Sequence, residues 1–126
     1  MAQFTIRTSR RGTYDITDEV ASQLTEPCSA ILVSALHTSC AIVVNEHTDG
    51  SVAEDLNGVL ERLVPEREDY AHDDGNAHAH LRAIITGDRV LVPVEDGRLV
   101  LGTWQRILLI EFDGPRERTI HLKRIG

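Results

Sequence analysis

Polar and apolar side chains alternate through residues 3–8, near the start of the chain. This pattern predicts a half-buried strand with Phe4 and Ile6 facing inward. Within residues 15–24, apolar side chains recur every four positions beside Asp and Thr side chains, which predicts a helix. Pro27 is expected to end that helix because proline cannot continue the backbone hydrogen bonding.

Short apolar runs follow, and their length is typical of strands. The two runs richest in Ile and Val, residues 29–36 and 40–44, are expected to be buried on both faces. Asp96 and Gly97 form a strong hairpin signal between two later runs. The later predicted strands cover residues 89–94, 99–103, 105–112 and 118–125.

Two more helices are predicted between these groups of strands. Ser51 and Glu54 have the spacing of a capping box at the start of the second helix, which ends before Pro65. Asn76 is the expected cap of a short third helix that Gly87 ends. The second helix carries one apolar stripe, formed by Val52, Leu56, Val59, Leu60 and Leu63.

Together these elements predict an α+β fold. We expect a compact mixed or antiparallel β-sandwich with about three helices and a C-terminal β-meander. A chain of 126 residues buries roughly two thirds of its unfolded surface, which is enough for one hydrophobic core. We therefore expect a single domain over residues 1–126.

The charge of the chain excludes one class of partner. The 20 Asp and Glu residues outnumber the 13 Lys and Arg residues, which gives a formal net charge of −7. A polyanion would be repelled, so we expect no nucleic acid partner.

No apolar run approaches the ~18 to 20 residues that span a bilayer, and the first residues lack a signal-peptide pattern. We therefore expect no membrane partner and a cytoplasmic location.

Acidic residues concentrate between Glu46 and Asp74, where ten acids accompany two arginines. The segment from Arg98 to the C-terminus instead holds six bases and three acids. This division favours a cation site in the middle of the chain. Cys28 and Cys40 lie in small or apolar surroundings, and we expect buried free thiols rather than a disulfide.

Histidines supply the main candidate chemistry. Six occur in 126 residues, and four of them lie in loops or at element ends beside acidic residues. Neutral imidazole binds zinc and similar divalent ions, so this clustering suggests a metal site. The spacing matches no standard zinc signature, and a solvated histidine-rich loop is the alternative interpretation.

Helix geometry distinguishes two of these histidines. If Asn76 caps a helix, His78 and His80 lie about 200° apart around it, so both cannot point into one site. One of them is then a bystander. His47 and His121 are isolated in the sequence, and we expect both to be surface histidines.

Two polar groups adjoin or interrupt apolar runs. Residues 45–46, an Asn-Glu pair, end a predicted strand, where they either cap the next turn or project into a cleft. Residues 102–105, Gly-Thr-Trp-Gln, combine a glycine, a hydroxyl, an indole and an amide. Glycine in a strand often marks a close approach of a ligand or of another backbone, although Trp104 alone is more often a core residue.

These residues resemble the pattern of a known family. The chain carries His-Thr-Ser at 37–39, Asn-Glu at 45–46, Gly-Thr-Trp-Gln at 102–105 and Glu-Phe-Asp-Gly-Pro-Arg at 111–116. In this order and spacing they closely resemble the YjbQ-like family. The resemblance implies a metal-dependent transferase with weak thiamine-phosphate synthase activity, which joins a pyrimidine diphosphate to a thiazole phosphate.

The resemblance also implies an assembly and a set of ligands. It implies an α+β sandwich that forms a homotrimer, with a small phosphorylated metabolite as substrate. The implied cofactor is a divalent metal ion: zinc, another transition metal or magnesium. The implied metal ligands are His37, His72 and His80, the implied catalytic residues are Glu46, Asn76 and Gln105, and the implied substrate-binding residues are Thr38, Gly75, Thr103 and Trp104.

The chemistry leaves two other functions open. Departure of pyrophosphate requires stabilisation of its negative charge by an ion or by basic side chains. The chain has one lysine, scattered arginines and no glycine-rich phosphate loop. The alternatives are therefore a non-catalytic trimeric module that binds a metal or a phosphorylated ligand, and a metal-assisted hydrolase.

Overall fold

The computed structural model describes residues 2–67, 69–72 and 74–126. Within these ranges the chain forms eight strands and three helices. The strands are β1 (Ala2–Thr8), β2 (Gly12–Asp15), β3 (Ala30–Ala35), β4 (Cys40–Asn45), β5 (Arg89–Glu95), β6 (Arg98–Leu99), β7 (Arg106–Glu111) and β8 (Arg116–Ile125). The helices are α1 (Thr17–Ser22), α2 (Ser51–Leu63) and α3 (Ala77–Thr86).

The strands form two antiparallel sheets. One sheet has the order β1-β8-β3-β5-β6, and the other has the order β2-β7-β4. In the second sheet β7 is central, and Arg106 at its start pairs with Asn45 while Glu111 at its end pairs with Cys40. This register fixes which residues lie at each end of the three-stranded sheet. The predicted α+β sandwich is confirmed.

Aliphatic side chains fill the space between the two sheets. Ile31 of β3, Ile42 of β4 and Leu109 of β7 are each at most 1% exposed and belong to one core cluster. Alternate side chains of a strand point to opposite faces, so Ala41 and Ile110 face away from this core. They pack in a second cluster with side chains of α2 and α3, which cover the outer face of the three-stranded sheet.

The C-terminal strands do not form the continuous meander that was predicted. β5 and β6 form the predicted hairpin, and φ angles of 52° at Asp96 and 76° at Gly97 suit a two-residue type I′ turn. β7 then joins the three-stranded sheet, and β8 returns to lie between β1 and β3. The strand predicted at 99–103 is also wrong beyond Leu99, because the chain leaves β5 after one further hydrogen bond, from the Val100 N–H to the Pro93 carbonyl.

The first helix is shorter than its periodicity predicts. β2 occupies residues 12–15, and α1 begins only at Thr17. The carboxylate of Asp15 accepts hydrogen bonds from the Thr17 N–H at 3.0 Å and from the Thr17 hydroxyl at 2.7 Å. This local turn separates the strand from the helix within a stretch where the sequence pattern predicts helix alone.

The capping box predicted for α2 is wrong. The residue before the helix, Gly50, has a φ of 82° and supplies no side chain to cap the helix. The Ser51 N–H donates to the Asp49 carboxylate at 2.9 Å, and the Glu54 N–H donates to the Gly50 carbonyl at 3.0 Å. Asp49 therefore satisfies a free N–H group at the helix start.

The apolar stripe of α2 is only partly buried. Leu60 is 2% exposed, whereas Leu63 is 67% exposed and Val52 and Val59 are also exposed. Both cysteines are free thiols; Cys40 is buried as predicted, whereas Cys28 is only half-buried. Burial raises the pKa of Cys40 to about 11, so its thiolate is disfavoured. In the described part of the chain, no helix has the length and apolar character needed to cross a membrane.

Candidate histidine site

Three of the predicted site residues line one cavity of about 330 Å³, which we call the histidine cavity. His37 and Thr38 follow β3, where the polar interruption predicted between two apolar runs connects β3 to β4. His80 lies on α3, which packs against β4. The described residues that line it are His37, Thr38, His80, Ala83, Ile84, Gly87 and Asp88.

His80 is oriented by a backbone carbonyl. Its Nδ1 lies 2.9 Å from the carbonyl oxygen of Thr38, which can only accept a hydrogen bond. The Nδ1 atom therefore carries the proton, and the lone pair is on Nε2. A carbonyl partner on one nitrogen is the usual arrangement for a histidine that binds an ion or a proton through the other.

His72 is oriented by an amide that is itself held by a carboxylate. The Asn76 Nδ2 donates to Asp113 at 3.0 Å, so the Asn76 side-chain oxygen is the acceptor that lies 3.1 Å from His72 Nε2. His72 therefore carries its proton on Nε2 and a lone pair on Nδ1. The rings of His72 and His80 are in edge-to-face contact, with centroids 5.0 Å apart.

Asp113 anchors this chain of hydrogen bonds. Burial alone would raise the pKa of its carboxyl, but hydrogen bonds from Asn76 and Arg116 hold that pKa below its ordinary value. Arg116 donates to Asp113 at 2.6 Å. Asn76 was predicted to cap α3 with its side chain, but that side chain makes no cap hydrogen bond and instead connects His72 to Asp113.

The hydrogen bond of His37 has the opposite direction, because its ring nitrogen accepts rather than donates. Its Nε2 accepts a hydrogen bond of 2.7 Å from the Thr119 backbone N–H, so the neutral ring carries its proton on Nδ1. Burial, and next the charge of Arg118, lower the pKa of His37 and favour this neutral form. Neither nitrogen of His37 then has a free lone pair for a metal ion, whereas His72 and His80 each have one.

The histidines therefore fit a divalent ion only in part. Among the described residues of one chain, no group of three or more His, Cys, Asp or Glu side chains is placed to hold a metal ion. Asp74 lies 3.6 Å from His72 but contacts the nitrogen that also faces Asn76. Metal binding by His37, His72 and His80 stays a prediction, with two of the three presenting suitable nitrogens.

A buried ion pair that the sequence analysis did not predict lies behind His37. Arg118 and Glu111 pair with side chains that are 2% and 0% exposed, and Arg118 also donates to the Ser39 hydroxyl at 2.9 Å. The Thr8 hydroxyl donates to Glu111 at 2.8 Å. Burial alone would raise the pKa of Glu111, but the hydrogen bonds from Arg118 and Thr8 hold it low. Glu111, which directly follows four apolar residues in β7, was the signal for this pair, whereas Arg118 lies among other charged residues of β8.

Four other predicted site residues, Glu46, Thr103, Trp104 and Gln105, lie at the other end of the three-stranded sheet. Glu46 follows β4 and Gln105 precedes β7, next to the pairing of Asn45 with Arg106. Thr38 lies beyond the opposite end, where the Phe112 N–H donates to Ser39. At about 3.3 Å per residue the two ends are roughly 20 Å apart. One chain therefore does not bring Glu46, Thr103, Trp104 and Gln105 to the histidine cavity.

At this second end the side chains make local contacts. The Glu46 carboxylate accepts hydrogen bonds from the hydroxyl of Thr48 at 2.7 Å and from its N–H at 3.3 Å, so it caps a turn. The Gln105 side-chain oxygen accepts a hydrogen bond from the Gly102 N–H at 2.7 Å. Trp104 is 67% exposed, which excludes the core role within one chain. Gly75, at the histidine end, has a φ of 83° that favours glycine.

The histidines outside the predicted site differ in their surroundings. His78 is fully buried, and neither ring nitrogen has a hydrogen-bond partner among the described residues. His80, rather than His78, lines the cavity, in agreement with the helix geometry. His47 and His121 are half-buried rather than fully exposed, and the Nδ1 of His47 is also buried without a partner in the described structure.

The fold and this site define a class of α+β sandwich proteins with a histidine pair beside a small cavity. The family model described as UPF0047 protein YjbQ-like matches residues 2–126. A UPF0047 protein of Archaeoglobus fulgidus is 45% identical over 98% of this chain and 99% of its own length. The UPF0047 protein YugU of Bacillus subtilis is 40% identical over 96% of both chains.

Solved structures of similar sequence share this fold. A conserved hypothetical protein of Thermus thermophilus is similar with a TM-score of 0.93 and 37% identity, over 99% of this chain and 100% of that one. An uncharacterised protein of the YjbQ/UPF0047 family from Clostridium acetobutylicum is similar with a TM-score of 0.94 and 35% identity, again over 99% and 100%. The chain belongs to the UPF0047 family of YjbQ-like proteins.

Proposed function

We propose that the chain is a metal-dependent transferase of the thiamine-phosphate synthase type, which joins a pyrimidine diphosphate to a thiazole phosphate. The observation that carries the proposal is the pair of histidines with fixed tautomers. His80 Nε2 and His72 Nδ1 are left free by partners on their other nitrogens. Two preorganised imidazole nitrogens beside a cavity support binding of a divalent ion.

In this proposal each residue of the histidine end has a defined task. His72 and His80 hold a divalent ion such as zinc, another transition metal or magnesium, while Asn76 and Thr38 fix the orientation of the two rings. The ion supplies stabilisation of the negative charge that develops on a departing pyrophosphate. His37 keeps the 37–39 segment in place through its hydrogen bond to the Thr119 N–H.

We also propose that the protein acts as a homotrimer, so that a neighbouring subunit completes the site. The interface of a cyclic trimer joins two different surfaces of the chain, so opposite ends of adjacent subunits can meet. Ile84, which lines the histidine cavity, is 78% exposed, and Trp104 at the other end is 67% exposed. Trp104 and Thr103 then bind the pyrimidine, and Gln105 and Glu46 take part in catalysis.

Metal binding is the first test. Addition of zinc, manganese or nickel is expected to raise the melting temperature of the wild-type protein, because an ion that binds only the folded state stabilises it. His80→Ala and His72→Ala should lose most of that shift, and synthesis from the two thiamine precursors should fall with it. His121→Ala, a half-buried histidine on β8 outside the cavity, is the matched control and should keep both. The absence of a shift with all three metals would contradict the proposal.

A second candidate is a non-catalytic module that binds a metal or a phosphorylated ligand. Its metal-binding form is favoured by the lining of the histidine cavity, because none of the described residues that line it is a Lys or Arg that would hold the departing pyrophosphate of a synthase. Metal-dependent stabilisation without synthesis from the two precursors would support the module. Hydrolysis of a generic phosphoester in the same assay would instead support the metal-assisted hydrolase.

A further inference from the structure

A second cavity, of about 960 Å³, lies on another side of the molecule. It opens between the turn that connects β1 to β2, one side of α2 and the segment that follows α2. Four of its lining residues are arginines, and we call it the arginine groove: Arg10, Arg11, Arg67 and Arg82. Leu56, Leu60 and Phe112 are among its apolar lining residues.

Arg82 is the most deeply buried of the four arginines of this groove. Its side chain is on α3 and the residue is 4% exposed. Its Nε and Nη2 both donate to the Val64 carbonyl, at 3.1 and 2.9 Å. No carboxylate of the described residues lies within ion-pair distance of it. Burial, the largest effect, lowers the pKa of Arg82, as expected for a charge that is taken from water without a close counter-ion.

The guanidinium of Arg82 keeps capacity for a further ligand. An arginine has five N–H groups in a planar fork, and the contacts to Val64 use two of them. Buried charges in proteins are ordinarily paired with an opposite charge. A neutral carbonyl satisfies hydrogen bonds but not the charge, so an anion is the ligand that this position favours.

The rim of the groove is preorganised. The Tyr14 hydroxyl donates to the Arg10 carbonyl at 2.7 Å and accepts hydrogen bonds from the Ser9 and Arg10 N–H groups at 3.2 and 3.1 Å. These contacts fix the turn that carries Arg10 and Arg11. Arg11 already pairs with Glu66 at 3.1 Å. The positive charge of the groove therefore comes from Arg82, Arg10 and Arg67, which form no such pair among the described residues.

The acidic residues of the groove limit the size of the anion. Glu54 and Glu61 line its α2 side. A polyanion extended along the groove would approach both carboxylates, whereas a compact anion at Arg82 covers less of the groove and meets mainly the charge of Glu61, which also acts on Arg82. The apolar lining suits a hydrophobic group attached to that anion.

The arginine groove is distinct from the histidine cavity. Residues four apart on a helix share a face. Arg82 therefore shares a face of α3 with His78, and Ile84 shares a face with His80. His80 and Ile84 line the histidine cavity, and Arg82 lines the groove. The two cavities thus lie on different sides of α3.

We propose that the arginine groove binds a small phosphate monoester with an apolar body, with the phosphate on Arg82 and the apolar part against Leu56, Leu60 and Phe112. This site goes beyond the proposed transferase reaction and does not depend on it. The planar fork of arginine matches the oxygens of a phosphate, which a lysine contacts only as a point charge.

Calorimetric titration with phenyl phosphate tests the proposal without any enzymatic assay. The wild-type protein should bind this probe, and Arg82→Lys, which keeps a charge but loses the fork, should weaken binding about tenfold or more. Arg98→Gln removes an exposed arginine of β6 outside the groove and is the matched control. His80→Ala should also bind like wild type, which separates this site from the histidine cavity.

Three results would overturn the proposal: no binding by the wild-type protein, equal affinity in Arg82→Lys and Arg98→Gln, or loss of binding in His80→Ala. If Arg82→Lys fails to fold, the double variant Arg10→Gln and Arg67→Gln takes its place. Those residues lie at the rim and are exposed, so this variant is expected to fold. It should weaken binding, and unchanged affinity in it would equally refute the site.

Discussion

The partner of each ring nitrogen determines what each histidine can do. His80 donates to a carbonyl and His72 to an amide oxygen, which leaves a lone pair on each ring, whereas His37 accepts from a backbone N–H. The partner of His80 is 42 residues away in the sequence and that of His37 is 82 residues away. Sequence analysis could therefore select the three histidines but not their protonation, which depends on contacts between distant segments.

Replacement of His78 should stabilise the protein. Both ring nitrogens are buried without a partner among the described residues. Each buried polar group without a hydrogen bond costs about 1 to 3 kcal/mol, so His78→Leu, of similar volume, should raise the free energy of unfolding by at least about 1 kcal/mol. Urea unfolding near pH 8 measures this. His121→Leu, on the half-buried β8 position, is the control and should show no comparable gain.

The same residue should make stability depend on pH. Burial first, and then the charge of Arg11, lower the pKa of His78 below 6.5 in the folded protein. The unfolded chain then binds more protons below about pH 6.5, so the wild-type protein loses stability as the pH falls through this range. His78→Leu should lose less stability between about pH 8 and pH 5, with a residual slope because the pKa of His37 is shifted in the same direction. An identical pH dependence in both proteins would contradict this.

At the scale of elements, the periodicity of apolar residues predicted most helices and strands. Its errors lie where local turns determine the structure. The Asp96-Gly97 pair was sufficient to predict the β5–β6 hairpin because a type I′ turn requires positive φ at both positions. The cap of α2 was not predictable from the Ser51 and Glu54 spacing, because Asp49 accepts from the Ser51 N–H and the Gly50 carbonyl accepts from the Glu54 N–H. Which strands pair was also beyond the sequence: the chain order of β7 and β8 does not reveal that they join different sheets.

Replacement by alanine should change the stability in opposite directions at two glycines, one in a turn and one inside a helix. A Cβ at Gly114, in the turn from β7 to β8, would lie 2.8 Å from Glu111 Cγ and 2.9 Å from Thr8 Oγ1, within the buried ion-pair cluster. Gly114→Ala should therefore destabilise the protein by roughly 1 to 3 kcal/mol. Gly58 lies inside α2 with its nearest neighbour, Arg62 Nη1, at 3.8 Å, so Gly58→Ala should stabilise by about 0.5 to 1 kcal/mol. Thermal unfolding of both variants checks the signs, and a neutral Gly114→Ala would show that the cluster can move.

At the scale of the whole molecule, the candidate site is divided between two ends of one sheet. His72, Asn76 and His80 lie at one end, and Trp104 and Gln105 at the other, roughly 20 Å away by strand length. Motif order along the chain gives no information about this separation, because His72 and His80 reach the sheet through the packing of α3 on β4, whereas Gln105 directly precedes β7. In the proposed trimer the two groups meet across an interface, and exposed apolar side chains at both ends are the surface that such an interface would bury.

Mixing of two inactive variants tests this arrangement directly. His80→Ala removes a residue of one end and Gln105→Ala a residue of the other, and each homotrimer should lose thiamine-phosphate synthesis. In a mixed trimer, a site that takes His80 from one subunit and Gln105 from its neighbour can regain both intact residues. Random mixing of equal amounts gives about one quarter of the sites with both, so the mixture, unfolded and refolded together, should recover up to about a quarter of wild-type activity. Trp104, the one tryptophan of the chain, offers a second measurement, since its emission should shift to longer wavelength when the trimer dissociates. Light scattering first establishes the mass of the mixed species; a trimer that contains both variants yet recovers no activity would show that the two ends do not share a site.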